Sequence, residues 1–204
     1  MTTNEQEKPR VGRPRSARAH QAILDATLQL VAEEGIQGAS IEAIATRAGV
    51  GKTTIYRRWS SKEALILAAL REFFTEPHLI DTGNLRADLI TGLKETIRLR
   101  LSDTLFEALL YRLFGEIKAH PEFLQVLYEQ VFAPDLQQMS QFIARAQARG
   151  ELDPNLDPLF ILSLVSGPLM YHVLFSPFLP TPQPLADLSE RIVDAILHGI
   201  KAHS

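Results

Sequence analysis

Apolar residues recur along almost the whole chain at three- and four-residue steps, and no segment keeps the strict alternation of a half-buried strand. The pattern predicts an all-α fold. Over residues 16–34 the set Ile23, Leu24, Thr27, Leu28, Leu30 and Val31 lines one side of a first helix, and Gly35 follows as its stop. Ser40 stands as N-cap of a short second helix with the stripe Ile41, Ile44, Ala45 and Ala48. Ala43 occupies the place where a capping box has glutamate, and Gly49 ends the helix. After the turn Gly49-Val50-Gly51, residues 52–59 make about two helical turns. Ser61 caps a fourth helix over residues 62–74, which Glu76-Pro77 ends, because proline disfavours helical geometry in the residue before it.

Further helices are predicted over residues 84–102, 103–119, 121–149, 158–175 and 185–202, with Pro134 and Pro168 kinking or dividing theirs. Between the last two, Pro177, Pro180, Pro182 and Pro184 make residues 176–184 a stiff connector. A domain boundary is expected after residue 75.

A chain of 204 residues is long enough to bury a hydrophobic core without metals or disulfides. It has no cysteine, which excludes a disulfide scaffold and thiolate chemistry and fits a reducing compartment, so a cytoplasmic location is expected. Residues 1–18 contain no apolar segment of a signal peptide, and no later run is long enough to span a membrane, so no membrane association is expected. The net charge of −3 conceals an asymmetry: residues 1–62 carry +4 and the remainder −7. The N-terminal part is therefore the part that suits a polyanion.

A short apolar-faced helix, a three-residue turn bearing glycine and a second short helix with a polar outer face are what a DNA-reading helix-turn-helix requires. At about 100° per residue from Ile55, Trp59 falls beside it and marks the inward side, while Thr53 and Arg57 fall opposite and Tyr56 and Thr54 on the flanks. Arginine bonds guanine edges, threonine offers a hydroxyl or a methyl, and tyrosine reaches phosphate. Lys62, at the start of the fourth helix, is expected to anchor a phosphate with the help of helix N-terminal amides. The expected DNA-contacting set is Arg13, Arg15, Ser40, Lys52, Thr53, Thr54, Tyr56, Arg57 and Lys62. Residues 1–16 form a basic disordered arm in which Arg10-Val11-Gly12-Arg13-Pro14-Arg15 is extended and able to lie in a minor groove. Gly51-Lys52-Thr53 imitates the end of a phosphate-binding P-loop, but Thr46 stands where its first glycine must be, and a helix precedes it instead of a strand.

The run Ile44-Ala45-x-x-Ala48-Gly49-Val50-Gly51-x-x-Thr54-Ile55-Tyr56-Arg57-Arg58-Trp59-x-Ser61-Lys62-Glu63-x-Leu65 resembles the DNA-binding domain of the TetR family of regulators, over residues 17–74. Its most diagnostic part is the spacing of Tyr56, Trp59 and Lys62; the family more often has phenylalanine in place of Trp59, which keeps the aromatic core role. His120-Pro121-Glu122-Phe123 and Arg149-Gly150-Glu151-Leu152 are also similar to segments of many members. The resemblance implies a helix-turn-helix DNA-binding domain over residues 17–75 and a helical effector-binding and dimerisation domain over 76–204. It further implies a homodimer bound to double-stranded operator DNA as a repressor and released by a small molecule.

For that effector, taken to be small and largely apolar, the apolar bands at helical spacing supply Phe106, Leu110, Phe114, Met139 and Phe142, with Tyr171 and His172 as polar contacts. Leu159, Ile161, Leu162, Leu164 and Val165, with Leu188, Ile192, Val193, Ile196, Leu197 and Ile200, exceed what one helix pair needs and are expected to pair across a two-fold axis. No catalytic constellation is legible: the six histidines are scattered and no H-E-x-x-H occurs, so neither an enzyme nor a cofactor or metal is expected.

Overall fold

The computed structural model describes residues 13–75, 80–101, 103–116, 119–175, 178 and 185–200, with the side chains of all of these except 13–15, 100, 101, 173, 185, 186, 199 and 200. Every regular element among them is helical, as the spacing predicts: α1 (Arg13–Gly38), α2 (Ile41–Ala48), α3 (Lys52–Tyr56), α4 (Lys62–Phe74), α5 (Leu85–Thr96), α6 (Thr104–Glu116), α7 (Pro121–Leu127), α8 (Ala133–Ala148), α9 (Pro158–Phe175) and α10 (Leu185–Ile200). The chain divides into two compact units between Ala69 and Leu70, inside α4.

In the first unit, Ile23, Leu24, Leu30 and Val31 of α1 are buried with Ile41 and Ile44 of α2, Ile55 of α3 and Leu65, Ile66 and Ala69 of α4. Thr27 sits fully buried within the α1 stripe because its hydroxyl donates to the carbonyl of Ile23 at 2.7 Å, which leaves no polar atom unpaired. α1 begins at Arg13 and not at Ser16, so Arg13 to Arg15 lie in a helical turn and not in an extended arm. Pro14 permits this, since an amide N–H in the first helical turn has no intrahelical acceptor to lose. The rest of the expected arm, residues 1–12, lies outside the described residues. Gly35, at φ 80° and ψ 177°, breaks the regular helix where a stop is expected, in a region open essentially to glycine, and one further turn carries α1 to Gly38.

α2 starts on Ser40, whose Oγ accepts the Ala43 N–H at 3.1 Å, and ends on Gly49 in the left-handed conformation at φ 66°. Ser61 caps α4 in the same manner, accepting from the Ala64 N–H at 3.1 Å. α3 is shorter than expected and stops at Tyr56, yet the amide of Arg57 still bonds Thr53 and that of Trp59 still bonds Ile55, so one more helix-like turn follows.

The second unit packs α5, α8, α9 and α10 around Leu85, Leu89, Leu93, Phe142, Ile161 and Val165. Two of the expected helices carry π-turns: the one over 84–102 has a π-turn at Ile97–Leu101 after α5, and the one that Pro134 is expected to kink or divide has a π-turn at Tyr128–Phe132 between α7 and α8. The second directly precedes Ala133 and Pro134, where proline withholds an amide and widens the turn before it. Pro168, by contrast, lies inside an undivided α9. Asn84 caps α5 by accepting from the Ala87 N–H, and Glu151 reaches back across the unit to accept from the Leu85 N–H at 2.8 Å. The expected breaker at Glu76-Pro77 and, apart from Phe178, the proline-rich connector lie outside the described residues. Among the described residues no helix is long and apolar enough to cross a membrane.

Candidate nucleic-acid interface and effector cavity

The helix-turn-helix presents the face that the sequence predicts. Ile55 is fully buried and Trp59 nearly so, while Lys52, Thr53, Tyr56 and Arg57 are exposed and Thr54 is half-buried. Its position is fixed by polar ties on both flanks. Arg47 of α2 makes a bidentate pair with Glu33 of α1, Nη1 to Oε1 at 2.8 Å and Nη2 to Oε2 at 2.7 Å. Lys52 at the head of α3 pairs with Glu42 of α2. These hydrogen bonds hold the carboxyls of Glu33 and Glu42 below their ordinary value, the first through Arg47 and the second through Lys52.

Two residues of the expected site do more than face outward. Ser40 spends its Oγ on the α2 cap. Lys62, expected at a phosphate, donates its ammonium to the carbonyls of Ile36 and Gln37, both at 3.1 Å, which closes the C-terminal end of α1. An ammonium has three donors, so one remains. The side chains of Arg13 and Arg15 lie outside the described residues.

Sequence reasoning missed two contacts of this unit. Arg58 Nη2 donates to both the carbonyl and the Oγ of Ser16 at 2.9 Å, tying the end of the reading segment to the start of α1. The helical rotation places Arg58 next to Ile55 on the inward side, a signal that its charge is turned toward the protein. The ring of His20 stacks on Trp59 at 5.1 Å between centroids, for which spacing gives no signal.

The second unit contains a cavity of about 690 Å³, bordered by residues of α5, α8 and α9. Met139 and Phe142, two of the seven expected effector contacts, line it. The other five do not. Phe106 is buried in an aromatic cluster with Phe73 and Phe74, the last two residues of α4. Leu110 is core, Phe114 and Tyr171 are about half exposed with Tyr171 against Phe175, and His172 is half-buried away from the lining. The α6 band is divided between core and surface and contributes no residue to this lining, whereas α5 contributes Asp88, Leu89, Thr91, Gly92 and Leu93 to the wall. A polar residue between Leu85 and Leu89 on the inner stripe of α5 is the sequence signal that could have found this wall. No group of side chains able to hold a metal ion occurs among the described residues.

Family models match both parts of the chain. Residues 23–69 match the bacterial regulatory proteins of the tetR family, and residues 79–196 match the tetracyclin repressor-like C-terminal domain. A DNA-binding transcriptional repressor named TetR from Mycobacteroides abscessus is 32% identical over 192 residues, covering 91% of this chain and 93% of its own. The HTH-type transcriptional regulator YdeS of Bacillus subtilis is 30% identical over 166 residues, covering 81% of this chain and 83% of its own. Among solved structures, a TetR family transcriptional regulator from Pseudomonas syringae pv. tomato superposes with a TM-score of 0.68 at 26% identity, covering 92% of this chain and 98% of that one. With the exposed face of α3 set on a buried Ile55 and Trp59, these matches identify the chain as a member of the TetR family of DNA-binding transcriptional regulators.

Proposed function

We propose that this regulator is a repressor that binds a palindromic operator as a homodimer and leaves it when a small molecule occupies the cavity of the second unit. Thr53, Tyr56 and Arg57 enter the major groove, and Thr54 supports them from the flank. Ser40, Lys52 and the third donor of Lys62 meet phosphates, and Arg13 and Arg15 lie against the adjacent backbone or minor groove. The observation that carries the reading is the outward face of α3, where Thr53, Tyr56 and Arg57 are exposed opposite a fully buried Ile55. A partner that is chromosomal DNA places the protein in the cytoplasm.

Dimerisation is supported by the outer side of α9. Phe160 is 50% exposed, Tyr171 57% and Phe175 46%, with Ser163 and Gly167 exposed between them. These residues follow helical spacing, and the small ones allow a second helix to approach. The expected buried partners Ile161, Leu162, Val165, Ile192 and Val193 instead serve the core of their own unit.

Effector release is supported by the cavity and by α4, which is tied at its head by Lys62 to Ile36 and Gln37 and at its tail by Phe74 to Phe106 and Phe132. A ligand lowers operator affinity only if it prefers the arrangement that DNA does not, and a tenfold effect needs about 1.4 kcal/mol of preference. Linkage makes the effect reciprocal. Calorimetry of a cavity-binding molecule with and without operator tests this: weakening by the same factor by which that molecule weakens DNA binding supports the reading. An unchanged affinity overturns it.

A further inference from the structure

The floor of the cavity holds an acid where an apolar site has no use for one. Among the lining residues, Asp88, Leu89, Leu93, Phe142, Val165 and Leu169 are buried, and Asp88 is the only one of the six with an ionisable side chain, at 4% exposure. Its Oδ1 accepts from the Thr82 hydroxyl at 2.6 Å and its Oδ2 from the Thr82 N–H at 2.9 Å. Among the described residues no lysine, arginine or histidine pairs with it. Burying a carboxylate without a counter-charge is costly, and each of its oxygens retains a lone pair beyond the one given to Thr82.

The rest of the lining has the same sign. Glu95 and Asp135 add two more carboxylates, against a single guanidinium, that of Arg145. Arg145 directs its Nε to Asp81 at 2.6 Å, outside the lining, and Glu95 is met by Arg98 from outside as well. An anionic ligand would enter a site already rich in carboxylates. A protonated amine or amidinium would supply what Asp88 lacks, while its hydrocarbon body covers Leu89, Leu93, Phe142 and Leu169. The volume of about 690 Å³ suits a drug-sized molecule.

We propose that the cavity takes a compact apolar cation, with Asp88 as its counter-ion and hydrogen-bond acceptor. This rests on the reading of the cavity as the effector site. A purely structural Asp88, serving only to hold the Thr82 turn, would be replaced adequately by asparagine, because the Thr82 hydroxyl can reverse from donor to acceptor.

The test uses the full-length protein and three series of probes on the same benzyl, naphthylmethyl and adamantylmethyl bodies, carrying a primary amine, a hydroxyl or a carboxylate, measured by calorimetry at neutral pH. The amine is expected to bind at least about tenfold more tightly than its alcohol, with the acid weakest, as a charge-assisted bond in a shielded site requires. Asp88→Asn is expected to abolish the preference while keeping alcohol binding. Should Asp88→Asn fail to fold, Thr91→Lys, at an exposed position of the lining, introduces a competing cation and is expected to weaken the amine and strengthen the acid. Alcohols and acids that bind as tightly as amines would overturn the cation proposal and leave the effector cavity standing. Failure of every probe of every charge to bind would overturn both.

Discussion

The Lys62 ammonium donates to the carbonyl oxygen of Ile36 at 3.1 Å, so the first residue of α4 closes the end of α1. The same ammonium bonds Gln37, and these carbonyls have no intrahelical donor of their own. Lys62→Ala is therefore expected to cost stability as well as affinity. Two charge-assisted bonds at a half-buried site amount to about 1–2 kcal/mol after solvent screening. Trp59 is the only tryptophan of the chain and is buried in the first unit, so its fluorescence during denaturation reports that unit. DNA affinity should fall alike on specific and random sequences. Unchanged stability with lost affinity would make Lys62 a phosphate contact alone.

Arg57 is exposed on the outer face, and no hydrogen bond or ion pair of its side chain to a described residue competes for the guanidinium. Arg57→Ala is expected to relax base preference at one position in each half-site, costing about 1–3 kcal/mol per guanine contact. Competition between operator variants measures it. Equal losses on operator and random DNA would assign Arg57 to the backbone.

The pairs Arg47–Glu33 and Lys52–Glu42 give the first unit an acid-side pH dependence. Hydrogen bonds from Arg47 and Lys52 hold the two glutamates below the ordinary value of 4.5. A folded pKa lowered in this way contributes stability above the unfolded value, and the contribution is lost as pH falls through the folded one. Trp59-monitored unfolding midpoints should decline as pH drops below the ordinary glutamate range, and high salt should reduce the decline because both pairs are exposed. Arg47→Gln should flatten the slope; an identical slope in that variant would remove Glu33 from the account.

On α9, Phe160→Asp places a charge on the proposed two-fold contact at a position already half exposed in the single chain. A stable dimer buries on the order of 1,600 Å², and a charge buried within that contact should leave a folded monomer at micromolar concentration with greatly weakened operator binding. Sedimentation and far-ultraviolet circular dichroism measure the two effects. A dimer that persists in Phe160→Asp would move the interface to another face.

Local chemistry made most of the fold legible. Ser40, Gly49, Ser61 and Asn84 mark helix ends by bonds that each residue makes with its near neighbours, and all four stand at helix ends. The start of α1 was less legible, because a proline that ends a helix in its interior is welcome in its first turn. The π-turn at Tyr128–Phe132 was half legible: Pro134 announced a disturbance but not its form. For the reading face, the rotation from Ile55 to Arg57 sufficed, whereas the partners of Lys62 and Arg58 lie 26 and 42 residues away and come only from packing. The cavity escaped for a related reason. Periodicity tells which side of a helix is inward, as for Phe106 and Leu110, but not where neighbouring helices fail to fill the space between them, as beside Asp88 and Phe142.

The central claim is that two copies of this chain read an inverted repeat through α3. Selection of double-stranded DNA from a random pool by the full-length protein tests it most directly. Enrichment of an inverted repeat is predicted, with half-sites in successive major grooves about 34–36 Å apart or at a related spacing, and with one base per half-site that loses its enrichment when the selection is repeated with Arg57→Ala. A pool that yields no motif, or a motif without two-fold symmetry that Arg57→Ala leaves unchanged, would contradict it.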